Sequence, residues 1–295
     1  MSAETVKALT VEGLTYYYRL LRQPDPQTEP ILVLGGALQD KHGWTHLDEP
    51  VGPLASLLTL DLPGAGQADP LRHDQGMDTM CRAVERALDD LGFGRVNLFG
   101  YSFGARIAFS FAQRHPDRIS RLLLGGVPAY ITEQQIAQWQ DAARYMARGA
   151  PDEFIRRALR LWLCQDESRT VRHRKLAHRY VKRLVTHAIS ANPRNFTHLH
   201  RSASEDVDAR GGLQGVPTLV FCGEHDTVSA PHSQAAFART ISGGRFLTIP
   251  ESDHWVCFER PQEVTELIAA FFTDQSLCAA EWMAESEYCL EGIRA

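Results

Sequence analysis

Ser102 stands in Gly100-Tyr101-Ser102-Phe103-Gly104, with the apolar run Asn97-Leu98-Phe99 before it and Ala105-Arg106-Ile107-Ala108-Phe109 after it. The first run reads as a buried strand and the second carries apolar residues at helical spacing. A serine between them lies on a strand-to-helix hairpin so tight that its own backbone is strained. Gly100 and Gly104 lack the Cβ atoms that would collide across the bend, and the hydroxyl is pushed outward. The following helix points its unpaired N–H groups and partial positive charge at the same spot, so negative charge developing beside Ser102 is stabilised. The chemistry this allows is nucleophilic attack by serine, which needs a base because a neutral hydroxyl is a poor nucleophile.

The strand, the Gly-x-Ser-x-Gly pentapeptide and the helix together resemble the α/β-hydrolases, and the resemblance runs over nearly the whole chain. It implies two partners for Ser102. Gly223-Glu224-His225-Asp226, after the buried run Pro217-Thr218-Leu219-Val220-Phe221-Cys222, matches the family's Gly-x-x-Asp and nominates Asp226 as the acid, with Glu224 in reserve. Among twelve histidines, His254 follows the last apolar run, Arg245-Phe246-Leu247-Thr248-Ile249-Pro250, and precedes an apolar helix over 261–272, as the family's catalytic histidine does. Its neighbour Asp253 competes to orient the ring. The resemblance also implies an oxyanion hole from the Phe103 N–H and from Ala37, after Ile31-Leu32-Val33-Leu34. The usual family pair here is His-Gly, whereas this chain has Gly35-Gly36; His42-Gly43, a few residues on, is the other placement. Asp61, in Asp61-Leu62-Pro63-Gly64, reads as a turn residue rather than a catalytic acid.

These residues require a scaffold that brings strand ends together. Val6 to Arg22 reads as an antiparallel hairpin turning at Glu12-Gly13, strands and helices then alternate, and 77–91 is an amphipathic helix. The class is α/β. The family likeness implies a mainly parallel eight-stranded sheet with helices on both faces and an inserted helical lid. The expected division is a core over 1–130 and 211–274, a lid over 131–210, and an acidic amphipathic tail over 275–295. Gly36, Tyr101, Trp139 and Trp162 are the expected substrate contacts.

Charge is divided unevenly. Residues 131–210 hold 15 Lys and Arg against 9 Asp and Glu, a net of +6, while the whole chain carries −5. This reads either as solvated helix faces or as Arg156, Arg157, Arg172, Arg174 and Lys175 attracting an acidic substrate or an acidic acyl-carrier protein. The overall charge argues against a general nucleic-acid binder, no apolar run is long enough to span a bilayer, and the first residues lack signal-peptide character. Six scattered cysteines read as free thiols of a cytoplasmic protein. The expected activity is hydrolysis of a carboxylic ester or thioester of a small to medium acyl substrate through an acyl-enzyme, with no metal or organic cofactor. The alternatives are a lyase or cyclase using the pocket for proton transfer, a carbon–carbon bond hydrolase, and a ligand receptor with a retained triad.

Overall fold

The computed structural model describes residues 4–191 and 208–276. Its frame is an eight-stranded sheet: β1 (Glu4–Val11), β2 (Leu14–Leu21), β3 (Ile31–Leu34), β4 (Leu57–Asp61), β5 (Val96–Tyr101), β6 (Ile119–Gly125), β7 (Thr218–Gly223) and β8 (Arg245–Ile249). The spatial order is β1-β2-β4-β3-β5-β6-β7-β8. The opening hairpin is antiparallel to itself and to β4, and every other pairing is parallel. Strands β3, β4, β5 and β7 are buried at every residue, which is why they read as continuous apolar runs rather than alternating ones.

Helices cover both faces, the first of them the short α1 (Asp48–Val51) that follows β3. On one, α2 (Met77–Leu91), α3 (Phe103–Arg114) and the helix Pro231–Ala238 pack on a core that includes Leu32, Leu98, Ile107, Phe109 and Phe237. On the other, the helix Pro261–Phe272 buries Val264, Leu267, Ile268 and Phe271 against Val33, Phe99, Leu123 and Leu219. Between β6 and β7 the chain leaves the sheet for α4 (Glu133–Ala147), α5 (Pro151–Trp162) and α6 (Arg174–Ala191). A capping box between Thr132 and Gln135 starts α4, satisfying backbone donors that its first turn leaves free. These three helices share a separate apolar cluster of Phe154, Leu159, Trp162, Val181 and Val185, which Trp255 enters from the core. The acidic tail anticipated at the carboxyl end, from 277 on, lies outside the described residues, as does 192–207 of the helical segment. Among the described residues no helix is long and apolar enough to cross a membrane.

The topology decides where a site can form. From β3 the chain moves outward to β4, then returns across β3 to lay down β5 on its other side. The connections leaving the carboxyl ends of β3 and β5 therefore diverge and open a crevice between them. Gly36 and Ala37 follow β3, and Ser102 follows β5, so both lie at that crevice.

Candidate active site

Ser102 is the residue between β5 and α3, with φ 52° and ψ −118°. That conformation is costly for a residue with a Cβ, and the surroundings impose it. A Cβ on Gly100 would lie 2.6 Å from Ala108 Cβ, and one on Gly104 would lie 2.0 Å from the Leu34 carbonyl oxygen. The bend is thus wedged between its own helix and β3, and only glycine fits at either flank.

The structure brings Ser102, His254 and Asp226 together. Ser102 Oγ and His254 Nε2 are 2.9 Å apart, and His254 Nδ1 lies 3.1 Å from each carboxylate oxygen of Asp226. Asp226 is held from behind: Oδ1 accepts the Val228 and Ser229 N–H groups at 3.0 and 2.9 Å, and Oδ2 accepts Gln234 Nε2 at 3.0 Å. Gln234 is itself fully buried and bonded to the Ser229 carbonyl and the Val127 N–H. The imidazole lies against Gly126, φ 57°, where a Cβ would come within 3.0 Å of the ring. The Tyr101 hydroxyl donates to the His254 carbonyl. Burial pushes the His254 pKa down, but the Asp226 charge, the hydrogen bond to it and the Asp253 charge together outweigh burial and hold it above the ordinary histidine value.

The other candidate side chains make their contacts elsewhere. Glu224 accepts the Glu251 N–H and does not reach the imidazole. Asp253 points away from the ring: one oxygen accepts the Cys164 N–H just beyond α5, and the other accepts the Thr227 N–H and hydroxyl. Asp61 pairs with buried Lys41 at 2.8 Å and accepts the Lys41 and Gln67 N–H groups, so it organises a turn. His42 is exposed, with its N–H on Asp40, and is not part of the pocket around Ser102. Cys222 and Cys257 are buried, and burial pushes both thiols up, which keeps them protonated.

Gly36, Ala37, Gln39, Tyr101, Ser102, Trp162, His254 and Trp255 line the pocket. Gly36 approaches so closely that a Cβ there would lie 3.3 Å from Ser102 Cβ. Among the described residues neither the Ala37 nor the Phe103 N–H is engaged by another acceptor. Trp162 forms a wall, whereas Trp139 packs behind it with ring centroids 4.9 Å apart, as part of the helical segment's own core. The periodicity of α4 places Trp139 on an apolar face but does not say which apolar neighbour that face meets. Trp255 and Gln39 are pocket residues that sequence reasoning missed. Trp255 had a usable signal, being adjacent to His254; Gln39 had none. Trp255 Nε1 donates to the Trp162 carbonyl at 3.0 Å, joining the histidine loop to the end of α5. Glu259, buried beneath this loop, accepts the Asp253 N–H at 2.7 Å, and burial together with the Asp253 charge pushes its carboxyl up to about 8.

Residues 29–261 match the family model described as alpha/beta hydrolase fold. A Bacillus subtilis protein, provisionally named 2-succinyl-6-hydroxy-2,4-cyclohexadiene-1-carboxylate synthase, is 26% identical over 279 residues, covering 91% of this chain and 98% of the relative. A 2-hydroxy-6-oxononadienedioate/2-hydroxy-6-oxononatrienedioate hydrolase of Cupriavidus pinatubonensis is 24% identical over 82% of this chain and 86% of its own. Among solved structures, MGS-M2, an alpha/beta hydrolase from a Medee basin deep-sea metagenome library, superposes with a TM-score of 0.79 at 21% identity, over 90% of this chain and 97% of that one.

Proposed function

The chain belongs to the alpha/beta hydrolase family, and from that premise we propose that it is an enzyme acting on a small polycarboxylate next to a carbonyl group, forming a cyclohexadiene carboxylate like the one its Bacillus relative is named for. The observation that carries this reading is the 2.9 Å contact between Ser102 Oγ and His254 Nε2, backed by Asp226. That arrangement draws the hydroxyl proton onto the imidazole and makes Ser102 a base or a nucleophile, while Asp226 orients the ring and stabilises the imidazolium. The substrate class is supported by the near full-length match to the Bacillus protein and by the dioate in the Cupriavidus protein's name.

In this reading Ser102 Oγ takes a proton from the carbon beside the carbonyl as His254 takes the hydroxyl proton. The C–H electron pair becomes an enolate, whose oxygen the Ala37 and Phe103 N–H groups stabilise, a contribution of roughly 3 kcal/mol per donor. The enolate collapses to a new double bond, the leaving group departs with its bonding pair, and the imidazolium of His254 gives its proton to that leaving group, which restores neutral His254 and the Ser102 hydroxyl. Trp162 and Trp255 flank the reacting carbon skeleton, and the helical segment acts as the lid.

The second reading is acyl transfer, in which Ser102 attacks an ester, thioester or ketone carbonyl and water later releases the acyl group. The two unengaged N–H groups at Ala37 and Phe103 suit a tetrahedral oxyanion as well as an enolate. The test sets a cyclohexene polycarboxylate bearing an eliminable substituent against nitrophenyl esters and a 2-hydroxy-6-oxo-dienoate. Absorbance of the conjugated diene, lost by about four to six orders of magnitude in Ser102→Ala and His254→Ala, is the expected result. Turnover of the esters or dienoate alone, with an acyl mass accumulating on Ser102, replaces the first reading by the second.

A further inference from the structure

The loop that carries Ala37 turns sharply: the Gln39 N–H donates to the Gly36 carbonyl at 3.1 Å, closing a four-residue turn whose third member, Leu38, has φ 69°. Turns of this kind place glycine at the third position, because a bulky side chain there is strained. Leu38 nevertheless packs its side chain against the apolar cluster of the helical segment, so the turn trades backbone comfort for that contact. The opposing stabilisation comes from Gln39. Its Oε1 accepts the Gly36 N–H at 2.7 Å, so Gln39 grips Gly36 from both sides, by backbone and by side chain. Gln39 is buried, and its Nε2 also donates to Tyr180 Oη of α6 at 3.2 Å.

The reach of Gln39 depends on the glycine at 35. A Cβ on Gly35 would lie 3.1 Å from Gln39 Cβ and 2.8 Å from Trp44 Nε1, so these two side chains occupy the space any residue larger than glycine would take. The Gly36 carbonyl and the Ala37 N–H belong to one planar peptide and point in opposite directions. Fixing the carbonyl inside the turn therefore fixes the Ala37 N–H outside it, and Ala37 lines the pocket with Ser102.

We infer that Gln39 is the positioning residue of the oxyanion loop: its reciprocal bonds to Gly36 hold the strained 36–39 turn in the one orientation that leaves the Ala37 N–H free for an oxyanion beside Ser102. This rests on Ser102 being the reacting serine, as proposed above, but on no particular substrate. Gln39→Met keeps the volume and removes both side-chain bonds. Tyr180→Phe removes only the bond to α6. Leu38→Gly relieves the demand for φ above zero, so in the Gln39→Met background it should restore the turn without the glutamine.

The experiment measures two things on each variant: the rate at which an alkyl fluorophosphonate labels Ser102, and kcat and KM for nitrophenyl butyrate. Gln39→Met is expected to lower labelling and kcat by about 10–100-fold, within the loss that follows removal of an oxyanion donor, with KM within about threefold. Tyr180→Phe should stay within about threefold of the parent, and Leu38→Gly should recover about three- to tenfold in the Gln39→Met protein. If Gln39→Met does not fold alone, the double variant is compared directly with Leu38→Gly, and a deficit in labelling with unchanged KM is again expected. Labelling of Gln39→Met at the parental rate, an equal loss in kcat and in affinity, or no rescue by Leu38→Gly overturns the inference while leaving Ser102 as the reacting serine. Failure of the parent protein itself to label at Ser102 overturns that premise and the inference with it.

Discussion

His254 and Glu259 are buried within one loop of each other and are pushed in ways that experiments on pH can separate. His254 acts as a base only when neutral, and its pKa is held above the ordinary value because the Asp226 charge, its hydrogen bond and Asp253 outweigh burial. Activity must therefore fall as pH drops through a value above about 6.5. A kcat/KM profile should show its acid limb there, and Asp226→Asn, which leaves burial unopposed by the main charge, should move the limb below that value while lowering kcat by about 10⁴-fold. Glu259 bears on stability instead. Its carboxyl, at about 8, keeps a proton that the unfolded chain has released from about 4.5 upward. The unfolded state thus binds fewer protons across that window, and folding stability declines as pH rises through it. Glu259→Gln retains a carbonyl to accept the Asp253 N–H but has no proton to lose. Urea denaturation should find it more stable than the parent by roughly 1–3 kcal/mol at pH 8, with the advantage gone near pH 4.5. A parent protein whose stability is flat across this range contradicts the raised pKa.

At the scale of elements, the strand–serine–helix hairpin is the part most sensitive to a single atom. Gly104→Ala places a methyl 2.0 Å from the Leu34 carbonyl and 2.5 Å from that of Gly35, where both partners are backbone at the carboxyl end of β3. It should cost at least about 3 kcal/mol in chemical denaturation, whereas Gly94→Ala, which meets nothing within 4 Å, should change stability by less than about 1 kcal/mol. The same hairpin was legible in the sequence because tight sterics leave few solutions, and two glycines at fixed offsets from a serine record one of them. The helices 77–91 and 261–272 were legible too, since each buries one apolar stripe against the sheet. The helix Pro231–Ala238 was not. Four of its eight residues are buried, including the polar Gln234, so no apolar stripe marks it. Its role also hides from composition: Gln234 serves Asp226 through a contact eight residues away in sequence, set by how the loop after β7 folds back. Trp139 and Trp162 present the same kind of limit, because helical spacing puts both on apolar faces and only the packing of α4 on α5 decides which one reaches Ser102.

Over the whole molecule, the positive charge of the helical segment is less available than its sequence implies. Arg156 pairs with Glu153, Arg157 with Asp141 and Glu153, and Arg172 with Glu251, while Arg174 donates to the carbonyls of Cys164, Asp166 and Arg169. These arginines tie the segment to itself and to the histidine loop. The helix α6 has no acidic residue and presents Lys175, Arg179, Lys182 and Arg183 on its exposed side. Charges so placed need not touch a ligand to matter, since their field extends about 8 Å at physiological ionic strength and raises the local concentration of anions over an otherwise acidic protein. If the substrate is a polycarboxylate, kcat/KM for it should fall by about 5–10-fold between 20 mM and 500 mM salt, mostly through KM, while a neutral nitrophenyl ester responds little. Lys182→Glu with Arg183→Glu should reproduce most of that loss at low salt and converge with the parent at high salt. These two side chains lie on the outer face, so the rate with the neutral ester should be unchanged. An equal loss for both substrates would place the effect in the fold of α6 rather than in its field, and a loss for neither would leave this helix face as simply solvated.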